Sequence, residues 1–181
     1  MSNPAMQPTP NKAFADTAQA VRLTGEFSID KLTYDTIPVS HPGHGQVLVQ
    51  IKAVSLNYRD FLVVTGKYNP KQQRPVILAS DGAGEVLAVG EGVSRFKPGD
   101  RVASSFFQNW FSGTFTRAVH RSALGGSVDG VLVGARVFDQ YGLVAVPDHL
   151  SYEEARAVVT TSCAQKVSRL RHTVSHGFKP A

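Results

Sequence analysis

The chain has 181 residues, 42% hydrophobic and 18% charged, with a formal net charge of +5, which suits one domain with a full core and neither a disordered nor a fibrous protein. Residues 151–181 hold five Lys/Arg against two acids, a net of +3, so the first 150 residues carry only +2 and offer no footprint for nucleic acid. A single cysteine, Cys163, excludes an internal disulfide and any multi-cysteine zinc centre, and the lack of a hydrophobic leader or a membrane-length apolar run predicts a soluble, cytoplasmic chain with no membrane partner.

Residues 1–18 mix Pro, Asn, Thr and Ala without periodicity and read as a disordered leader. Short strands follow at 20–25 (AVRLTG), 31–39 (KLTYDTIPV) and, after the turn HPGHGQ, at 47–56 (VLVQIKAVSL). NYRDFLVVTG breaks the alternation and predicts a short helix that Asn57 opens and Gly66 closes. Strands are expected again at 84–90 and 101–107, joined by the tight reversal FKPGD. A loop or edge strand should span 125–134, a strand 142–147, and Ser151 with Glu154 forms a capping box for a final helix. Many short strands, glycine-proline turns and few helices indicate a mostly β fold, a partly open β-barrel with short helices.

The stretch LASDGAGEVLAVGEG, 78–92, holds four glycines in fifteen residues. It is not a phosphate loop: Gly82 and Gly84 are followed by Leu87 where a third glycine belongs, and by a strand where a helix should begin. Gly82, Gly84 and Gly90 are therefore read as places where a barrel strand bends or another backbone comes close.

Three segments in order, QVLVQIKAVSLNYRD, PVILASDGAGEVLAVGEGVSRFKPGDRV and GLVAVPDHLSYEEA, resemble the N-terminal half of medium-chain dehydrogenases/reductases, specifically the zinc-free quinone oxidoreductase branch. The resemblance covers roughly residues 20–155 and implies a GroES-like barrel over 19–155. It also implies that the Rossmann half of the family is absent, with 156–181 a divergent basic tail, either a truncation or a frame shift. The implied function is the catalytic-domain half of a zinc-independent NAD(P)H-dependent oxidoreductase that reduces a small-molecule carbonyl or alkene (quinone, enone or enoyl) by hydride transfer. The alternative is a non-catalytic pseudoenzyme fragment or binding module.

The resemblance also supplies the candidate site. Asn57 and Tyr58 are the expected catalytic residues, and together with Tyr68 they should meet the nicotinamide of NADPH or NADH. A neutral amide and a phenol suit hydrogen bonding to a carbonyl oxygen near neutral pH. Support roles fall to Arg59, Asp60 and Asp81, with Arg59 expected to ion-pair with Asp60 or Asp81. No zinc is expected, because Asn57 and Ser80 stand where zinc-dependent relatives carry Cys and His, and both are poor zinc ligands. His41, His44 and His149 read as surface loop residues, the pair His172 and His176 lacks a third donor, and Cys163 reads as a buried small hydrophobe. Cofactor binding by this chain alone should be weak, and an exposed apolar flank should favour self-association. Gly134-Ala135-Arg136 stands where relatives often carry an acidic-aromatic pair, which predicts an altered strand there.

Overall fold

Alternation of β-branched and polar residues in QVLVQIKAVS makes β3 (Gln46–Ser55) the longest strand of the computed structural model, which describes residues 12–156. Before it lie β1 (Thr17–Leu23) and β2 (Leu32–Pro38), an antiparallel pair in unbroken register from Thr17↔Pro38 to Leu23↔Leu32. After it come the helix α1 (Tyr58–Val64), the two-residue β4 (Val76–Ile77) and β5 (Asp81–Val89). The chain continues through β6 (Arg101–Ser104), the one-turn α2 (Arg117–His120), β7 (Ala135–Asp139) and β8 (Leu143–Ala145). The strands form a three-stranded sheet, β2-β1-β4, and a five-stranded sheet, β7-β3-β5-β6-β8.

What closes these sheets toward each other is the segment 130–134. Val21 N–H donates to Leu132 O at 2.9 Å, and Gly134 N–H to Gln19 O at 2.8 Å, while Gly134 O accepts Ile51 N–H at 3.0 Å. One residue thus stitches β1 to β3, and the result is a partly open barrel, as the strand pattern predicts. The inward faces of β3, β5, β6, β7 and β8 bury Val47, Val49, Val86, Val102, Phe138 and Leu143 in one cluster. A second cluster, Leu23, Val63, Val64, Val76 and Leu78, seats α1 on the smaller sheet. Burying each such side chain contributes about 1.5–3 kcal/mol.

The structure corrects several expectations. Residues 12–18 of the expected leader are ordered: Lys12 N–H donates to Leu87 O at 2.8 Å, and Thr17 and Ala18 belong to β1. The strand expected over 101–107 ends at Ser104, because Phe106 and Phe107 turn away into an aromatic cluster. Gly134-Ala135-Arg136 does not interrupt the sheet, since β7 pairs with β3 from Gln46↔Asp139 to Gln50↔Ala135. The capping box forms as expected, with Ser151 N–H on Glu154 Oε2 at 2.8 Å and Glu154 N–H on Ser151 Oγ at 3.2 Å. Among the described residues no helix is long and apolar enough to cross a membrane. Residues 1–11 and 157–181, with Cys163, His172 and His176, lie outside the described residues.

Candidate functional site

At the end of β3 the chain leaves the sheet, and Asn57, extended at φ −122° and ψ 160°, takes the first position before α1. Both kinds of N–H on this residue go to buried carboxylates. Its backbone N–H donates to Asp60 Oδ2 at 2.7 Å, and its side-chain Nδ2 donates to Asp81 Oδ2 at 2.5 Å. Asp60 closes the helix start as a capping acid does. Asp81 opens β5 opposite Ser55, so the β3–β5 register brings a residue 24 positions away against Asn57.

Asp81 is 0% exposed, and the same Oδ2 also accepts Ser80 Oγ–H at 2.7 Å. Asn57 and Ser80 therefore each direct one polar hydrogen to the same carboxylate oxygen. Zinc is held by thiolate, imidazole or carboxylate donors, and an amide and a hydroxyl are poor ligands beside those. Among the described residues no three His, Cys, Asp or Glu side chains group closely enough to hold a metal ion. Next to Ser80, Ala79 adopts φ +63° while fully buried. Such strain on a non-glycine residue costs about 1–2 kcal/mol and tends to gather near sites.

Tyr58 is 74% exposed, with its ring stacked 6.1 Å from Phe61 and its neighbour Leu56 70% exposed. Leu56, Tyr58 and Phe61 thus leave apolar surface exposed around the start of α1. Tyr68 is brought to the same place, but under Arg59: the guanidinium lies 4.4 Å from the Tyr68 ring centroid and 4.8 Å from that of Phe106. Here the expectation of an ion pair fails. Among the described residues no carboxylate comes within ion-pair distance of Arg59, whose Nη1 donates instead to Leu124 O at 2.9 Å. The cause is directional: the side chain runs toward the 122–126 loop, whereas Asp60 Oδ2 and Asp81 Oδ2 face Asn57.

Burial raises the Asp60 carboxyl above its usual 3.8, a shift that the Asn57 N–H and the Arg59 charge oppose and the Asp81 charge reinforces. The folded protein then binds this proton more tightly than the unfolded chain. Asp60's contribution to stability is full below 3.8 and is lost as pH rises through the elevated folded value. Urea unfolding across about pH 3.5–7 should therefore show a decline with pH, in that window, that Asp60→Asn removes. An identical pH slope in both proteins would overturn this account of Asp60.

The structure gathers Asn57, Tyr58, Arg59 and Asp60 at the start of α1 and brings Asp81 against Asn57. Phe106, the Leu124 carbonyl and Gly126, which reach Arg59 through a loop more than 40 residues away, were not among the residues the sequence pointed to. No local pattern marks those three; the only hint is a Leu-Gly-Gly turn at 124–126.

Comparison with known proteins gives a consistent family. The family profile described as "Alcohol dehydrogenase GroES-like domain" matches residues 43–148. A zinc-type alcohol dehydrogenase-like protein of Schizosaccharomyces pombe is 45% identical over 120 residues, 66% of this chain and 34% of that protein. A Sinorhizobium meliloti structure of alcohol-dehydrogenase type superposes with a TM-score of 0.73 at 34% identity, over 81% of this chain and 44% of the other. A quinone oxidoreductase from Pseudomonas syringae gives a TM-score of 0.59 at 31% identity, over 77% and 37%. The chain thus spans less than half the length of each of these relatives.

Proposed function

The chain belongs to the alcohol dehydrogenase GroES-like domain family, within the medium-chain dehydrogenases/reductases, and on that premise we propose that it is the substrate-facing lobe of a zinc-independent NAD(P)H-dependent oxidoreductase. The proposed reaction is reduction of a quinone, enone or enoyl thioester. One observation supports the metal-free reading: the two polar side chains held on Asp81 Oδ2 are the amide of Asn57 and the hydroxyl of Ser80, which are poor zinc ligands beside thiolate and imidazole.

A bound reduced nicotinamide would supply the hydride in such a reaction. The chain's own part is to hold the acceptor. Asn57, pinned through one amide hydrogen to a fully buried carboxylate, keeps its second amide hydrogen for an incoming oxygen. Tyr58 presents its hydroxyl from an exposed ring braced on Phe61. Both are neutral donors at a helix start, where negative charge growing on a carbonyl oxygen is stabilised.

A micromolar dinucleotide site is worth about −8 kcal/mol, so a lobe making about half its contacts retains about −4, near millimolar. Saturation-transfer NMR with NADPH should therefore find weak binding, with transfer to the nicotinamide protons rather than the adenine protons, and Tyr58→Ala should remove it. Transfer confined to the adenine, or none at millimolar NADPH, would favour a non-catalytic barrel.

A further inference from the structure

The larger sheet ends in β7, whose one neighbour among the described residues is β3. Ile51 N–H donates to Gly134 O and Gln140 N–H to Gly45 O, each at 3.0 Å. Bonded pairs in an antiparallel ladder recur every second residue, so Arg136 and Phe138 bond across to Val49 and Val47. Ala135, Val137 and Asp139 therefore aim their backbone N–H and C=O groups away from the sheet, and among the described residues nothing pairs with those groups. The β3–β7 register runs without a bulge, one of the devices that blunt an exposed edge. Of the other sheet edges, β4 and β8 span two and three residues, and β2 ends in Pro38.

Two open clefts lie along this edge and share Arg136 and Val137. The one at the Ala135 end, about 240 Å³, has apolar walls from Ile37, Pro38, Ile77 and Val133. The one at the Asp139 end, about 290 Å³, is more polar, with Gln108, Asn109, Arg121 and Ser122 in its lining. Four charged side chains line the two clefts, and three are committed to this chain's own backbone. Asp129 Oδ1 accepts Ile77 N–H at 2.9 Å, Asp139 Oδ1 accepts Tyr141 N–H at 2.8 Å, and Arg136 Nη1 donates to the carbonyls of Asp129 and Gly130. Arg121, at the end of α2, is exposed, and its guanidinium holds no partner among the described residues. The uncommitted charge beside the edge is thus cationic. This chain's own ends do not match it: residues 157–181 carry Lys166, Arg169, Arg171 and Lys179 without an acid, and residues 1–11 carry three prolines and no charged side chain.

We propose that the free edge of β7 takes up an extended acidic peptide of another protein as an added strand. Main-chain hydrogen bonds at 135, 137 and 139 supply the attachment, while an apolar side chain beside Ile37 and Ile77 and a carboxylate on Arg121 supply the selection. Five residues of strand span about 16 Å, so a pentapeptide covers the edge. Binding there involves neither Asn57 nor Tyr58, so it stands or falls apart from the reductase reading.

The test is amide hydrogen exchange by NMR on the full chain with acetyl-Glu-Glu-Thr-Val-Val-amide, whose acids fall at the Arg121 end when it is laid antiparallel. Exchange at Ala135, Val137 and Asp139 should slow at least tenfold at saturation, and the peptide with two lysines in place of the glutamates should bind at least tenfold more weakly. Arg121→Glu should reverse that preference. Val137→Pro removes the central outward N–H without costing a bond to β3, and should weaken the acidic peptide at least tenfold. Unchanged exchange at millimolar peptide, equal binding of the lysine peptide, or unchanged selectivity in Arg121→Glu would overturn the proposal. So would a dimer of the free chain in which the same three amides are already protected, since a second copy would then be the occupant. Should Val137→Pro fail to fold, Arg121→Glu decides alone.

Discussion

Asp81→Ala should lower the free energy of unfolding by about 3 kcal/mol. The carboxylate is fully buried and accepts two hydrogen bonds, from Asn57 Nδ2 at 2.5 Å and Ser80 Oγ at 2.7 Å. Bonds to a charged acceptor contribute about 1.5–3 kcal/mol each. Some of that is returned, because burying a carboxylate is itself costly and its Oδ1 has no partner. What alanine cannot return is the pairing of the Asn57 amide and the Ser80 hydroxyl, which stay where they are and lose their acceptor. Asp81→Asn separates charge from shape: its amide oxygen can still accept, so the loss should fall to about 1–2 kcal/mol. Urea unfolding monitored by Trp110 fluorescence measures both. A loss below about 1 kcal/mol for Asp81→Ala would mean that the pair holds the helix start only loosely.

Gly84→Ala should cost about 3 kcal/mol or more, enough to threaten a domain of this size. A Cβ at residue 84 would lie 2.0 Å from the Gln50 carbonyl oxygen and 3.0 Å from Ile51 Cα. Those atoms are backbone of β3 at its Ile51↔Gly84 pairing with β5, beside the register shift that leaves Lys52 unpaired between Ile51 and Ala53. Side chains could move aside; a paired backbone at the centre of the larger sheet can do so only by giving up ladder hydrogen bonds. Gly113→Ala is the control. Gly113 has φ +78° and nothing within 4 Å, so alanine there meets only the left-handed strain of about 1 kcal/mol. If the two variants melted alike, close backbone approach would not be the reason for glycine at 84.

Much of this arrangement was readable along the chain. The alternation in VLVQIKAVSL and the Asn57-to-Asp60 helix start depend on residues one to four apart, as do the Ser151–Glu154 box and the FKPGD reversal. Short-range sterics and hydrogen bonding decide them. The strand at 135–139 was harder, because ARVFD carries a charged residue at an inward-facing register position opposite Val49. Arg136 is accepted there because its guanidinium donates to the carbonyls of Asp129 and Gly130 and stacks 5.1 Å from Phe138. Desolvation pulls its pKa down to about 10, which still leaves it charged near neutral pH.

By itself, then, the sequence determined the strand-rich architecture, the position of α1 and the gathering of Asn57, Tyr58, Arg59 and Asp60 at its start, since each follows from neighbours along the backbone. Tertiary structure alone decided the distant partners that Asn57 and Arg59 hold. Sheet register carried Asp81 to Asn57, and the return of the 122–126 loop gave Arg59 a carbonyl instead of an ion pair. Contacts across 24 and 65 residues depend on how two sheets and a loop pack together, and no short-range rule specifies that packing.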